Sequence, residues 1–213
     1  MSTFSNTKKS FSRDAATPLA AEQQTMRLSE SIRMSVQDRF WQWRILLLPW
    51  LAYMGWRHLQ DTEYCSPFEW LDVVIHEVGH PLFGYFGEFM HVAGGTLLQL
   101  IMPVAVLIIL LRQGEFFGIP LCGVWFADNL YDVARYIADA RAQNGEYVTL
   151  GINTGEPVEA THDWEYLLEH FNALEMDTRI GAWVRAAAFC MTWGSIAVGF
   201  WLTWVMMRSK RKS

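Results

Sequence analysis

The sequence predicts an all-α polytopic membrane protein of four to five apolar helices, with a polar N-terminal segment and an extramembrane loop and helix over 140–178. Three observations predict it. Hydrophobic residues form 52% of the 213-residue chain, with 11 Trp and 13 Phe, yet mean hydropathy is only +0.09. The two figures agree only if the chain is divided between greasy and polar parts, and 1–40 and 140–178 are the polar ones. The apolar runs between them approach the roughly 20 residues that a helix needs to cross a bilayer. Ionisable residues inside those runs recur at spacings of three and four, which is helical periodicity.

The chain reads as a polar segment, 1–39, followed by a single helical membrane domain, 40–213. Residues 1–38 are rich in Ser, Thr, Gln and charge and have no apolar stretch of the kind a cleavable leader needs. Most of this segment is expected to be disordered, with a weakly amphipathic helix over 22–39. The first membrane helix is expected over 40–58, with Trp41, Trp43, Trp50 and Trp56 as interfacial aromatics and Pro49 as a kink. Ser66-Pro67-Phe68-Glu69 then reads as a helix start, with Ser66 as cap and Pro67 at the first helical position. The helix it opens, over 70–89, carries the densest chemistry in the chain. His91 to Gly95 reads as a tight link, followed by an apolar helix over 96–111 in which Gln99 could face a site or bond to a neighbouring helix.

A helix over 119–141 begins apolar and then carries Asp128, Asn129, Asp132, Arg135 and Asp139. With Trp125, most of these share one polar stripe. Residues 142–161 read as a loop with a short hairpin arm over 146–152. Thr161 or Asp163 then caps an amphipathic helix reaching Leu174, with Leu167, Leu168, Phe171 and Leu174 as its apolar stripe. A last helix over 180–207 is long enough to span, and the basic tail after it favours the cytoplasm. Basic residues near the first helix favour a cytoplasmic N-terminus. Two cytoplasmic ends require an even number of crossings, so one of five apolar helices does not cross fully. The 70–89 helix, with its charged site and Pro81, is the expected partial or re-entrant one.

Charge excludes one class of partner: 17 basic against 22 acidic residues, net −5, gives no footprint for nucleic acid. The three cysteines, Cys65, Cys122 and Cys190, form no disulfide framework and no metal-ligand spacing; Cys122 and Cys190 read as small buried residues.

The chemistry sits in His76-Glu77-Val78-Gly79-His80. Residues four apart on a helix are neighbours, so His76 and His80 can share one metal ion. Glu77 is turned about 100° from His76 and about 60° from His80. It can therefore reach a water held by the metal without ligating it. Zinc lowers the pKa of such a water, and a glutamate that takes its proton makes a nucleophile for a peptide carbonyl. Two imidazoles and a carboxylate are costly in an apolar helix, which favours function over chance.

For the third ligand the residues leave a choice. Asp128 lies deepest in an apolar helix with no cation one turn away, and is preferred; His162 and Asp132 are the rivals. Asp72, one turn before His76, reads either as a group orienting a ligating imidazole or as a solvated acid at the helix start. His58, His91 and His170 read as incidental.

The order of elements resembles the site-2 protease superfamily of intramembrane zinc metallopeptidases, in its minimal bacterial form without a PDZ domain. The resemblance covers roughly 70–140: the H-E-x-x-H helix, the Gly94-Gly95-Thr96 link with an apolar helix after it, and a helix bearing an intramembrane Asp. It implies His76 and His80 as zinc ligands, Glu77 as general base and a later Asp as third ligand. The chain departs from the family's Asn-x-x-Pro-x-x-x-Leu-Asp-Gly motif, having Asp128-Asn129-Leu130-Tyr131-Asp132 without the Pro or the Gly.

The sequence thus favours a zinc endopeptidase acting on a membrane protein or peptide in or next to the bilayer. The competing reading is a metal-binding chaperone or adaptor that keeps the site without hydrolysis. A di-iron desaturase is disfavoured, because such enzymes are expected to need about eight histidines in three boxes and this chain has six, scattered.

Overall fold

A computed structural model describes residues 42–143 and 162–210. The polar segment, the 22–39 helix and the 146–152 hairpin lie outside the described residues. Among the described residues every regular element is helical: α1 (Gln42–Gln60), α2 (Glu69–Gly84), α3 (Glu88–Arg112), α4 (Gly118–Ala138), α5 (Asp163–His170), a 3₁₀ turn (Leu174–Met176) and α6 (Asp177–Lys210). The stretch Glu88–Arg112 and the run Leu174–Arg208 are long and apolar enough to cross a membrane.

The helices pack as two groups with the site between them. The first is α4 laid along α6, with α1 against both. Leu51 of α1, Val124 of α4 and Ile196 of α6 form one buried cluster of this group. Below it, Leu48 packs with Phe117, Leu202 and Met206. The second is the α2–α3 hairpin. It turns at Gly87, whose φ of +107° is a conformation that favours glycine.

The hairpin is close because it is glycine-lined. A Cβ on Gly79 would run into the Gly94 carbonyl, and one on Gly94 would meet Phe83 Cβ at 2.8 Å. His91 to Gly95 is therefore not a link. Helix α3 begins at Glu88, and Gly94 and Gly95 lie inside it where they meet α2. In most helices Gly→Ala stabilises by about 1 kcal/mol. Here Gly79→Ala is expected to lower the melting temperature of the detergent-solubilised protein, because backbone has to move; an unchanged or higher value would contradict the packing.

Other boundaries also differ from the sequence reading. Helix α2 starts at Glu69 without a side-chain cap. Ser66 Oγ instead accepts the Phe68 N–H at 3.0 Å and donates to Asp128, which fixes the turn before the helix. Helix α2 ends at Gly84 and passes through Pro81. Helix α5 stops at His170 instead of reaching Leu174, and His162 holds the cap position. Leu167 and Leu168 are buried, while Phe171 is exposed. Cys122 is buried as expected, but Cys190 is exposed.

Two ion pairs tie the ends of elements together. Arg44 grips Glu115 with N···O distances of 2.9 and 2.6 Å, joining the start of α1 to the α3–α4 turn. Arg141 holds both oxygens of Asp177 at 2.7 Å, joining the segment after α4 to the first residue of α6.

Candidate metal centre

Helix α2 sets His76 and His80 one turn apart, with ring centroids 4.9 Å from each other. Their Nε2 atoms face the same oxygen. Asp163 Oδ2 lies 3.1 Å from His76 Nε2 and 3.4 Å from His80 Nε2. Asp163 is the first residue of α5 and lies 87 positions after His76 in the chain. Its backbone N–H donates to Tyr136 Oη of α4 at 3.3 Å.

The far nitrogens explain why both Nε2 atoms can ligate. His80 Nδ1 lies 2.9 Å from the His91 carbonyl, a group that only accepts, so Nδ1 carries a hydrogen and the neutral ring has its lone pair on Nε2. His76 Nδ1 lies 3.2 Å from Gln99 Oε1, which imposes the same tautomer. With both rings neutral, two lone pairs and a carboxylate oxygen converge on one point, an arrangement that a cation stabilises.

The spacing fits zinc. A tetrahedron with metal–ligand bonds of about 2.0–2.1 Å has edges of about 3.3 Å, and the two Nε2···Oδ2 separations, 3.1 and 3.4 Å, bracket that value. The three side chains are only 15–17% exposed. Gly95 lets α3 approach this closely: a Cβ there would meet His76 Nε2 at 2.6 Å.

The structure does not bring Asp128 to the histidines. Its Oδ1 lies 2.7 Å from His58 Nε2, its Oδ2 accepts from Ser66, and the side chain is buried. Within α4 it has no cation one turn away, but α1 supplies an imidazole from another direction. His58 is therefore not incidental: it is 4% exposed, stacks on Tyr131 at 4.2 Å, and its carbonyl accepts from Arg185. Asp132 and His162 do not complete the centre either. Asp132 pairs with Arg135 at 3.5 Å. His162 packs its ring on Tyr136 at 4.0 Å, and burial holds its pKa below the ordinary histidine value. It is the neighbour of the converging carboxylate, not the ligand itself.

Asp72 does not orient either imidazole. Its Oδ1 accepts from Trp125 Nε1 at 2.8 Å, and it is 1% exposed, so it is not a solvated acid either. The orienting groups are Gln99 and the His91 carbonyl. Sequence reasoning allows for the first and misses the second, along with Asp163 and Tyr136.

A cavity of about 80 Å³ opens beside the centre, between α2, α3 and α4. Its lining includes His76, Glu77, Gln99 and Tyr136 together with Asp72, Asp132 and Arg135. Glu77 is partly buried and lines this space beside His76. No family model, curated protein or solved structure matches the chain.

Proposed function

We propose that this protein is a zinc-dependent endopeptidase that cuts a membrane protein or peptide at the edge of the bilayer. The observation that carries the reading is the convergence of His76 Nε2, His80 Nε2 and Asp163 Oδ2 at zinc-like separations, with Glu77 beside them in a cavity. His76, His80 and Asp163 would hold the metal, which when bound lowers the pKa of water and polarises a carbonyl. Glu77 takes the proton from the attacking water and returns it to the leaving amine. Gln99 and the His91 carbonyl fix the imidazole tautomers. Tyr136, through the Asp163 amide, fixes the third carboxylate.

The depth of the site follows from the helices. Arg44, Glu115 and the Arg112 end of α3 lie at one end of the bundle. From Gly118, at that end, to Tyr136 the rise along α4 is about 27 Å, nearly the full ~30 Å hydrocarbon thickness. The metal centre therefore sits near the opposite boundary, where residues 140–143 and 162–178 also lie. Helix α2 is 16 residues long, or about 24 Å, too short to cross alone. Its start is joined to the end of α1 through the Asp128 cluster, so α1 and α2 make one crossing in succession instead of α2 re-entering. With α3, α4 and α6 that makes four crossings, with Gln42 and Lys210 on the same side, the cytoplasmic one by the basic residues of the sequence around them. Trp70, Val74, Val78 and Leu82, each about half exposed or more, face lipid along α2.

The test is metal removal. Purified protein in proteoliposomes with a library of single-span reporter peptides is expected to cleave a subset, to stop after chelation, and to resume on adding zinc at one equivalent. Cleavage that survives complete chelation would refute the reading.

A further inference from the structure

We propose that the cavity beside the metal centre is a specificity subsite for a basic side chain, lysine or arginine, of the peptide substrate. This rests on the peptidase reading. Four carboxylates line the cavity (Glu69, Asp72, Glu77 and Asp132) against a single cationic side chain, Arg135. Arg135 is already divided among Asp132 at 3.5 Å, Glu63 at 3.6 Å and Glu69 at 3.7 Å, and none of these pairs involves Asp72.

The second observation is Asp72. It is 1% exposed and lines the cavity. Its Oδ1 is bonded to Trp125, while its Oδ2 has no hydrogen-bond partner among the described residues. A buried carboxylate oxygen left without a donor is costly. Carboxylate oxygens of Asp72, Asp128 and Asp132 also lie within 4.8 Å of one another. Asp128 is engaged by His58 and Ser66 and Asp132 by Arg135, which leaves Asp72 Oδ2 to meet whatever enters, with Asp132 beside it. An ammonium or guanidinium group supplies the missing donor and, by its charge, favours the ionised form of the acids around it. Val73 and Val133 on the same wall suit the methylene stem of such a side chain. Because the cavity also includes His76 and Glu77, a side chain held there belongs to a residue next to the bond being cut.

The test uses lysine hydroxamate and norleucine hydroxamate on the full-length, zinc-loaded protein. Both carry the same metal-binding group and a four-carbon stem, and only the first carries an ammonium. Lysine hydroxamate is expected to bind about tenfold tighter. The preference should fall towards unity in Asp72→Asn and, as a second variant, in Asp132→Asn, with zinc content unchanged in both. Equal binding to the wild type, or a preference that survives in both variants, would overturn the subsite. So would a second metal per chain that is lost in Asp72→Asn, which would make the acidic cluster a metal site. Equal binding with Glu77-dependent cleavage intact refutes the subsite alone; a lysine preference in a protein that cleaves nothing refutes the peptidase reading alone.

Discussion

Glu77→Gln is expected to lower peptide cleavage by about a thousandfold while leaving zinc content and melting temperature at wild-type values. The amide is nearly isosteric with the carboxylate, so the α2 helix and the cavity wall keep their shape. What it lacks is basicity. General base catalysis contributes about 10²–10⁴-fold, and nothing else near His76 is placed to substitute. Of the other carboxylates in the cavity, Glu69 and Asp132 pair with Arg135 and Asp72 is bonded to Trp125, and Asp163 has its Oδ2 turned to the two imidazoles. The measurement is the initial rate on a reporter peptide beside metal analysis of the same sample. A variant with normal zinc and undiminished cleavage would remove Glu77 from the chemistry. A cellular function that Glu77→Gln leaves untouched would favour the metal-binding adaptor.

The second large effect is one of stability. Asp128→Ala is expected to destabilise the protein by about 3–5 kcal/mol, as removing one partner of a buried, hydrogen-bonded pair does. For a chain of this size that corresponds to a fall in melting temperature of about 10 °C. The loss is large because one carboxylate serves two partners on two other segments, His58 on α1 and Ser66 before α2. The cost should be partly relieved in a His58→Ala background, where no imidazole is left stranded; purely additive costs would mean that the two do not act as a pair. Folded Asp128→Ala protein should still hold zinc, which separates the architectural role from the catalytic one.

These two carboxylates show what a sequence can and cannot reveal. His76, Glu77 and His80 are readable because their geometry is local: one turn of helix fixes the two imidazoles on one face whatever the rest of the chain does. The helical class and the approximate positions of α1, α4 and α6 are readable for the same reason, from runs of apolar residues and turn residues between them. Asp128 misleads because an acid inside an apolar helix announces only that it has a partner, not which one. The partner comes from α1, a contact that no periodicity encodes. Asp163 reads as no more than a helix cap beside His162 because an acid in the first turn of a helix is ordinary. Its role depends on α5 docking against Tyr136, which is tertiary. Gly94 and Gly95 read as a turn, yet they are the flat surface that lets α3 lie against His76; the same residue type serves both purposes, and only the neighbouring helix decides between them.

The most direct measurement is the metal content of purified, folded protein, taken for the wild type, His76→Ala, Asp163→Ala and Asp128→Ala. One zinc per chain is predicted for the wild type and for Asp128→Ala, with loss of stable binding in His76→Ala and Asp163→Ala. A wild type that holds no metal after zinc loading, or an Asp163→Ala protein that keeps its zinc while Asp128→Ala loses it, would contradict the centre described above.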